Sequence, residues 1–134
     1  MKIKTHMSAE ARLLGTPSMV EDDSEAHVEL EAAGEMAVDE LGLVHGGFTF
    51  GLADYAAMLA VNHPNVVLAE AKVRFTAPVV VGDKMEAHAR VVEREGRRRK
   101  VEVEVLVGGR KVMEGEFLCV ILGEHVLRRR GQRG

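Results

Sequence analysis

Along the 134-residue chain the apolar positions change period twice. "EAHVELEA" alternates, which predicts a strand with Ala26, Val28 and Leu30 on one face. From about Gly46 to Asn62, "GGFTFGLADYAAMLAVN" is apolar almost all round and predicts one long helix. "NHPN" ends it, because Pro64 cannot continue a helix and disfavours helical backbone at His63. Period two then returns. "VVLAEAKVRF" leads through the bend "TAPVVVGD" into "KMEAHARVVERE", where Met85, Ala87, Ala89 and Val91 share a face. "GRRRK" predicts a hairpin loop, and "VEVEVLV" puts Val101, Val103, Val105 and Val107 on one side. "GGR" turns the chain into "KVMEGEFLCVIL", a strand apolar on both faces towards its end.

Upstream, "SAEARLL" predicts a short helix stopped by the breakers in "GTPS". Downstream, "RRRGQRG" has nothing to bury and predicts a mobile basic tail. One long helix with four or five strands, most joined by hairpins, predicts an α+β protein with an antiparallel sheet. The helix has no polar stripe, so it must be covered nearly all round, by a strongly curved sheet and by a partner subunit. The expected organisation is a single domain over residues 1–134, with its core at about 25–122.

Composition narrows the function classes. A hydrophobic fraction of 46% and a net charge of −3 fit a globular protein with no global attraction for nucleic acid or membrane surfaces. "MKIKTHMSAE" has no apolar signal core and no run reaches a spanning length, so a cytoplasmic location is expected. Cys119 is the only cysteine; inside "EFLCVIL" it reads as a small buried hydrophobe. The histidines show no metal-site spacing, and no metal is expected.

The candidate chemistry lies in the helix. Asp54 is its only ionisable side chain, and the neighbours on its face are Gly47, Phe50, Gly51, Ala57, Met58 and Val61, none of which can pair with it. An ionised carboxylate is expensive to bury alone. At the helix start, "HGG" leaves backbone N–H groups without intrahelical acceptors, where they favour developing negative charge. Such donors are what an oxyanion hole requires, and the carboxylate nine residues after the histidine makes the pattern specific.

On those residues the chain resembles a known family. "VHGGFTFGLADYAAMLA" is similar to the signature of the hotdog-fold acyl-CoA thioesterases, in the branch of the phenylacetate-pathway enzymes and one type of 4-hydroxybenzoyl-CoA thioesterase. "VRFTAPVVVGDKMEAHARVV" and "GRKVMEGEFLCVIL" resemble the family's later strands, so that the likeness covers roughly residues 25–122. It implies the hotdog fold, a long central helix wrapped by a curved antiparallel sheet. It also implies hydrolysis of a small acyl- or aryl-CoA thioester with no cofactor beyond the coenzyme A of the substrate.

Carried over, Gly46 would donate its N–H to the thioester carbonyl and Asp54 would act as base or nucleophile. His45 would shape the oxyanion end. Gly47, Asp39, Phe48, Tyr55 and Met58 are expected about the substrate; Arg97, Arg98 and Arg99 read as a solvated hairpin tip or, alternatively, as the grip on the phosphates of coenzyme A. Asp39 stands six residues before His45, where relatives often carry Asn. Some relatives also hold water with a Ser or Thr on the next strand, which "NVVLAEAKVRF" lacks; Glu70 and Thr76 are the nearest substitutes. The alternative is a non-catalytic acyl-CoA sensor, since some hotdog domains regulate without hydrolysing; Asp54, and residues 1–24 without a helix-turn-helix pattern, make the enzyme the expected reading. Gly46 and Asp54 are eight residues apart, roughly 12 Å along one helix axis, so one chain cannot aim both at one carbonyl. A homodimer with shared sites is expected, with pairing into a tetramer.

Overall fold

The computed structural model describes residues 1–130. The chain runs α1 (Ala11–Leu14), β1 (Thr16–Glu21), β2 (Glu25–Glu31), a 3-10 turn at Gly34–Met36, α2 (Gly46–Val61), β3 (Val66–Phe75), β4 (Lys84–Glu95), β5 (Arg98–Val107), β6 (Arg110–Ile121) and α3 (Val126–Arg130). The strands form one antiparallel sheet in the order β1-β2-β4-β5-β6-β3. With α2 laid chiefly across β2, β4 and β5, this is the hotdog fold.

The inward rows are those given by the alternation. Ala26, Val28, Leu30, Met85, Ala87, Ala89, Val101, Val103 and Val105 are buried, together with Phe117 and Cys119 from β6. Ala53, Ala56, Ala57 and Ala60 on the helix are fully buried too. Small side chains on helix and sheet let the two backbones approach closely, so the core is filled by shape rather than by aromatic bulk.

Both ends of α2 are fixed. Val44 N–H donates to Val79 O at 2.8 Å and His45 N–H to Met36 O at 2.9 Å, which staples the chain entering the helix. Asn62 leaves the helix in the left-handed conformation, φ 50°, where asparagine is tolerated. Its amide donates to Lys2 O and Asp22 Oδ1, both at 2.8 Å, and its oxygen accepts from Lys4 N–H at 2.9 Å. Residues 2–4 are thereby tied to the helix end.

Three expectations need correction. The sheet has six strands rather than four or five, because "TPSMVE" forms β1. This is an edge strand holding Pro17, with a register shift between Pro17 and Met19 and no clean alternation, which is how an edge strand escapes a periodicity reading. The helix expected over "SAEARLL" shrinks to Ala11–Leu14. "GRRRK" is only in part a loop: the turn is Gly96–Arg97, and Arg98, Arg99 and Lys100 already pair in β5. Of the expected mobile tail, Arg128–Arg130 end α3, and residues 131–134 lie outside the described residues. At Gly108 and Gly109 both φ values are positive, as a two-residue hairpin turn needs.

Candidate active site

Asp54 sits on the third turn of α2, half buried. Its Oδ1 is sealed from solvent and takes no hydrogen bond, the one such side-chain atom among the described residues. Burial pushes the carboxyl up from the usual 3.8 to about 6. Behind it, the Cys119 thiol on β6 is raised to about 12, first by burial and then by the negative charge of Asp54. A thiol held that high is inert, in line with a packing role for Cys119.

The helix is not covered all round within one chain. Gly47 is exposed, and Phe50, Gly51 and Asp54 are half exposed, whereas almost everything after Asp54 is buried. These four residues recur at three- and four-residue spacing, so they form one open stripe along the first turns. The stripe runs from the helix start to the orphan carboxylate.

At that start His45 is the N-cap, its Nδ1 accepting from Gly47 N–H at 2.8 Å. The Gly47 donor is therefore already used. The Gly46 N–H finds no acceptor among the described residues. It remains the open donor, at the positive end of a 16-residue helix. His45 meets Phe48 edge to face, ring centroids 6.3 Å apart.

The other expected site residues are spread more widely. Asp39 spends its Oδ1 on the N–H groups of Leu41 and Leu43, at 3.0 and 3.1 Å, and so builds the turn before the helix. Tyr55 and Met58 are buried, Tyr55 beside the ring of His6 at 6.3 Å between centroids. Thr76 donates its hydroxyl to Lys111 O at 2.9 Å. Arg99 is engaged inside the chain: its Nε donates to Asp23 Oδ1 at 2.8 Å, and its side chain is only 14% exposed. Arg97 lies against Gly123, and Arg97 and Arg98 are exposed without an ion pair among the described residues. A groove of about 550 Å³ opens on the opposite face of the sheet, lined by His27, His88 and charged residues of five strands. None of the expected site residues reaches it.

One residue was missed. Phe75 ends β3 with its ring over Gly46: a Cβ built on that glycine would lie 3.4 Å from the ring. The sequence shows only that Ala71, Val73 and Phe75 share one period-two face, and nothing local marks the approach to Gly46.

Residues 41–114, carrying the helix, the open donor and the carboxylate, match the model of the thioesterase superfamily. The chain belongs to that superfamily. Among curated relatives it is 52% identical over 122 residues to a methylthioribose-1-phosphate isomerase of Aquifex aeolicus, covering 91% of this chain but 26% of the isomerase. It is 27% identical over 129 residues to the transcription factor FapR of Caldanaerobacter subterraneus, covering 96% of this chain and 64% of that factor. The chain thus spans about a quarter and under two thirds of the two relatives. Among solved structures, an uncharacterized protein of Pyrococcus horikoshii superposes with TM-score 0.93 at 54% identity over 95% of this chain and 97% of that one. A mutant of the phenylacetic acid degradation protein PaaI of Thermus thermophilus superposes with TM-score 0.75 at 29% identity over 84% and 97%.

Proposed function

We propose that this superfamily member hydrolyses an acyl-CoA thioester, with Asp54 as the acting carboxylate and Gly46 N–H as the oxyanion donor. The observation that carries the reading is the orphaned Oδ1 of Asp54 on an open helix stripe. A carboxylate with a pKa near 6 is ionised at neutral pH and is a stronger base than a solvated one. As base, Asp54 takes a proton from water as the water oxygen bonds to the thioester carbon. The carbonyl oxygen gains the charge and is held by Gly46 N–H; the C–S bond then breaks and the thiolate takes the proton. As nucleophile, Asp54 would bond to the carbon itself, the C–S bond would break with the thiolate leaving to take a proton from solvent, and water would open the resulting anhydride to free acid and the Asp54 carboxylate. His45 serves either route by fixing the first turn through its bond to Gly47 N–H.

Gly46 and Asp54 are separated by roughly 12 Å along α2, whereas both must come within about 3–3.5 Å of the reacting atoms, or one water further. Two antiparallel copies of α2 about a two-fold axis meet that demand, each site taking Gly46 from one chain and Asp54 from the other. The open stripe of Gly47, Phe50, Gly51 and Asp54 is the surface such a partner would cover.

The similarity to FapR favours a second reading, in which the chain binds an acyl-CoA without turning it over. A hydrolysis screen over short, medium, long and aromatic acyl-CoAs, followed by free-thiol release, separates the two. Turnover of at least one is expected; tight binding of one with turnover of none selects the second reading. The shared site has its own test. Gly46→Pro removes the donor where His45 is already extended, ψ 131°, as a residue before proline prefers. Refolded together with Asp54→Asn in equal amounts, about half the dimers are mixed and each carries one intact site. About a quarter of parental activity should return. Mixed dimers confirmed by mass but inactive would rule the shared site out.

A further inference from the structure

Phe75 is the one aromatic among the exposed large apolar side chains of the described residues. Its neighbour across the ladder, Met113, is completely buried, yet the Phe75 ring is 54% exposed at the end of an edge strand. A large aromatic ring left in water forgoes apolar burial that almost any inward position would give it. The backbone that carries the ring is held in place. Thr76 N–H donates to Val112 O at 2.9 Å and the Thr76 hydroxyl to Lys111 O at 2.9 Å, so the residue after the ring is locked to β6. Val44 N–H to Val79 O ties the chain beyond it to the helix entrance.

The ring's position relative to the open donor can be bounded. A ring carbon lies 3.4 Å from the Cβ site of Gly46, so backbone geometry puts it within about 6 Å of the Gly46 nitrogen. A carbonyl oxygen accepting from that N–H stands about 2.9 Å away, and the carbon chain on one side of the carbonyl then reaches van der Waals contact with the ring. Leu43, also exposed, enters the helix from a bridge to exposed Val80. Within this chain the group that meets the Cβ site of Gly46 is thus a flat aromatic ring, with the His45 ring capping the next N–H.

We propose that Phe75 is the specificity-determining residue of this site, forming the wall against which the acyl group packs and favouring flat aryl acyl groups over small aliphatic ones. The inference rests on the reading that a thioester carbonyl binds at Gly46 N–H. A flat acyl group covers the ring's exposed face and has few rotors to freeze, whereas an acetyl group covers little of it.

The test compares benzoyl-CoA with acetyl-CoA on the parent, Phe75→Ala and Phe75→Leu. The parental preference in kcat/KM for benzoyl over acetyl should fall about tenfold or more in Phe75→Ala. Phe75→Leu, which restores apolar bulk but not a flat ring, should recover only part of it. The preference is a ratio between substrates on one protein, so a general loss of folding does not move it. In parallel, each Phe75 variant is combined with Asp54→Asn and titrated calorimetrically with both thioesters, so that binding is read without turnover. Binding selectivity lost in Phe75→Ala alongside a parent that hydrolyses nothing keeps this inference and removes the hydrolytic one. Intact parental hydrolysis with a ratio unchanged within threefold in Phe75→Ala overturns this inference alone. Failure of both thioesters to bind Asp54→Asn at millimolar concentration overturns this inference together with the carbonyl site at Gly46 N–H on which it rests.

Discussion

Replacing Asp54 with asparagine should make the protein more stable while disabling it, and the gain should depend on pH. The carboxyl rises from 3.8 to about 6 because burial disfavours its charged form. That rise corresponds to about 3 kcal/mol. The side chain keeps part of its solvent, and asparagine also leaves a buried acceptor unpaired, so a net gain of about 1–2 kcal/mol is the working value.

The sign follows from proton binding. Above pH 6 the folded carboxylate is ionised in a place that resists it, and the cost is fully present. Between about pH 6 and 4 the folded state takes up its proton while the unfolded chain remains ionised, so parental stability rises as pH falls. Asparagine does not titrate. Thermal unfolding at fixed protein concentration should put Asp54→Asn about 3–8 °C above the parent at pH 8, and the gap should nearly close at pH 4. In the same preparations kcat should fall by about 10²–10⁴-fold with substrate binding largely kept. A melting temperature shifted equally at both pH values, or lowered at pH 8, would mean that Asp54 has a partner in the assembled protein and is not a stored electrostatic cost.

Two further outcomes are expected. The parental kcat/KM should rise with pH through about 6 and level above it, because the working carboxylate must be ionised; a flat profile from pH 5 to 8 would remove Asp54 as base. The basic hairpin should split in two. Arg97→Ser with Arg98→Ser should raise KM for CoA thioesters more than for pantetheine thioesters, with kcat little changed. Arg99→Ser should instead lower stability by about 1–2 kcal/mol, since it frees Asp23 from a partly buried contact, and chemical denaturation reads that directly. A KM effect confined to Arg99→Ser, with no loss of stability, would reverse the two assignments.

The sequence by itself determined what depends on local periodicity. A helix with apolar residues on every side must be enclosed, and strands with one apolar face must turn that face inward, so Ala26, Val28, Ala87, Ala89 and the β5 valines could be placed before any coordinate was known. The oddity of Asp54 was legible for the same reason: a charge is conspicuous only against a uniformly apolar background. The edge strand β1 was not legible, because an edge is defined by what pairs with it, and Pro17 and the register shift blur the alternation.

Only the tertiary structure decided which polar groups are already satisfied. Gly46 and Gly47 look equivalent in "HGG", yet the folded His45 ring takes the second N–H and leaves the first. Three consecutive arginines look alike, yet Asp23, distant in sequence, holds Arg99. Phe75 ends a strand and Gly46 begins a helix 29 residues earlier, and only the sheet's curvature around α2 lays one over the other. Hydrogen bonds and close approaches between distant segments are set by the path of the chain through space, and no local pattern records them.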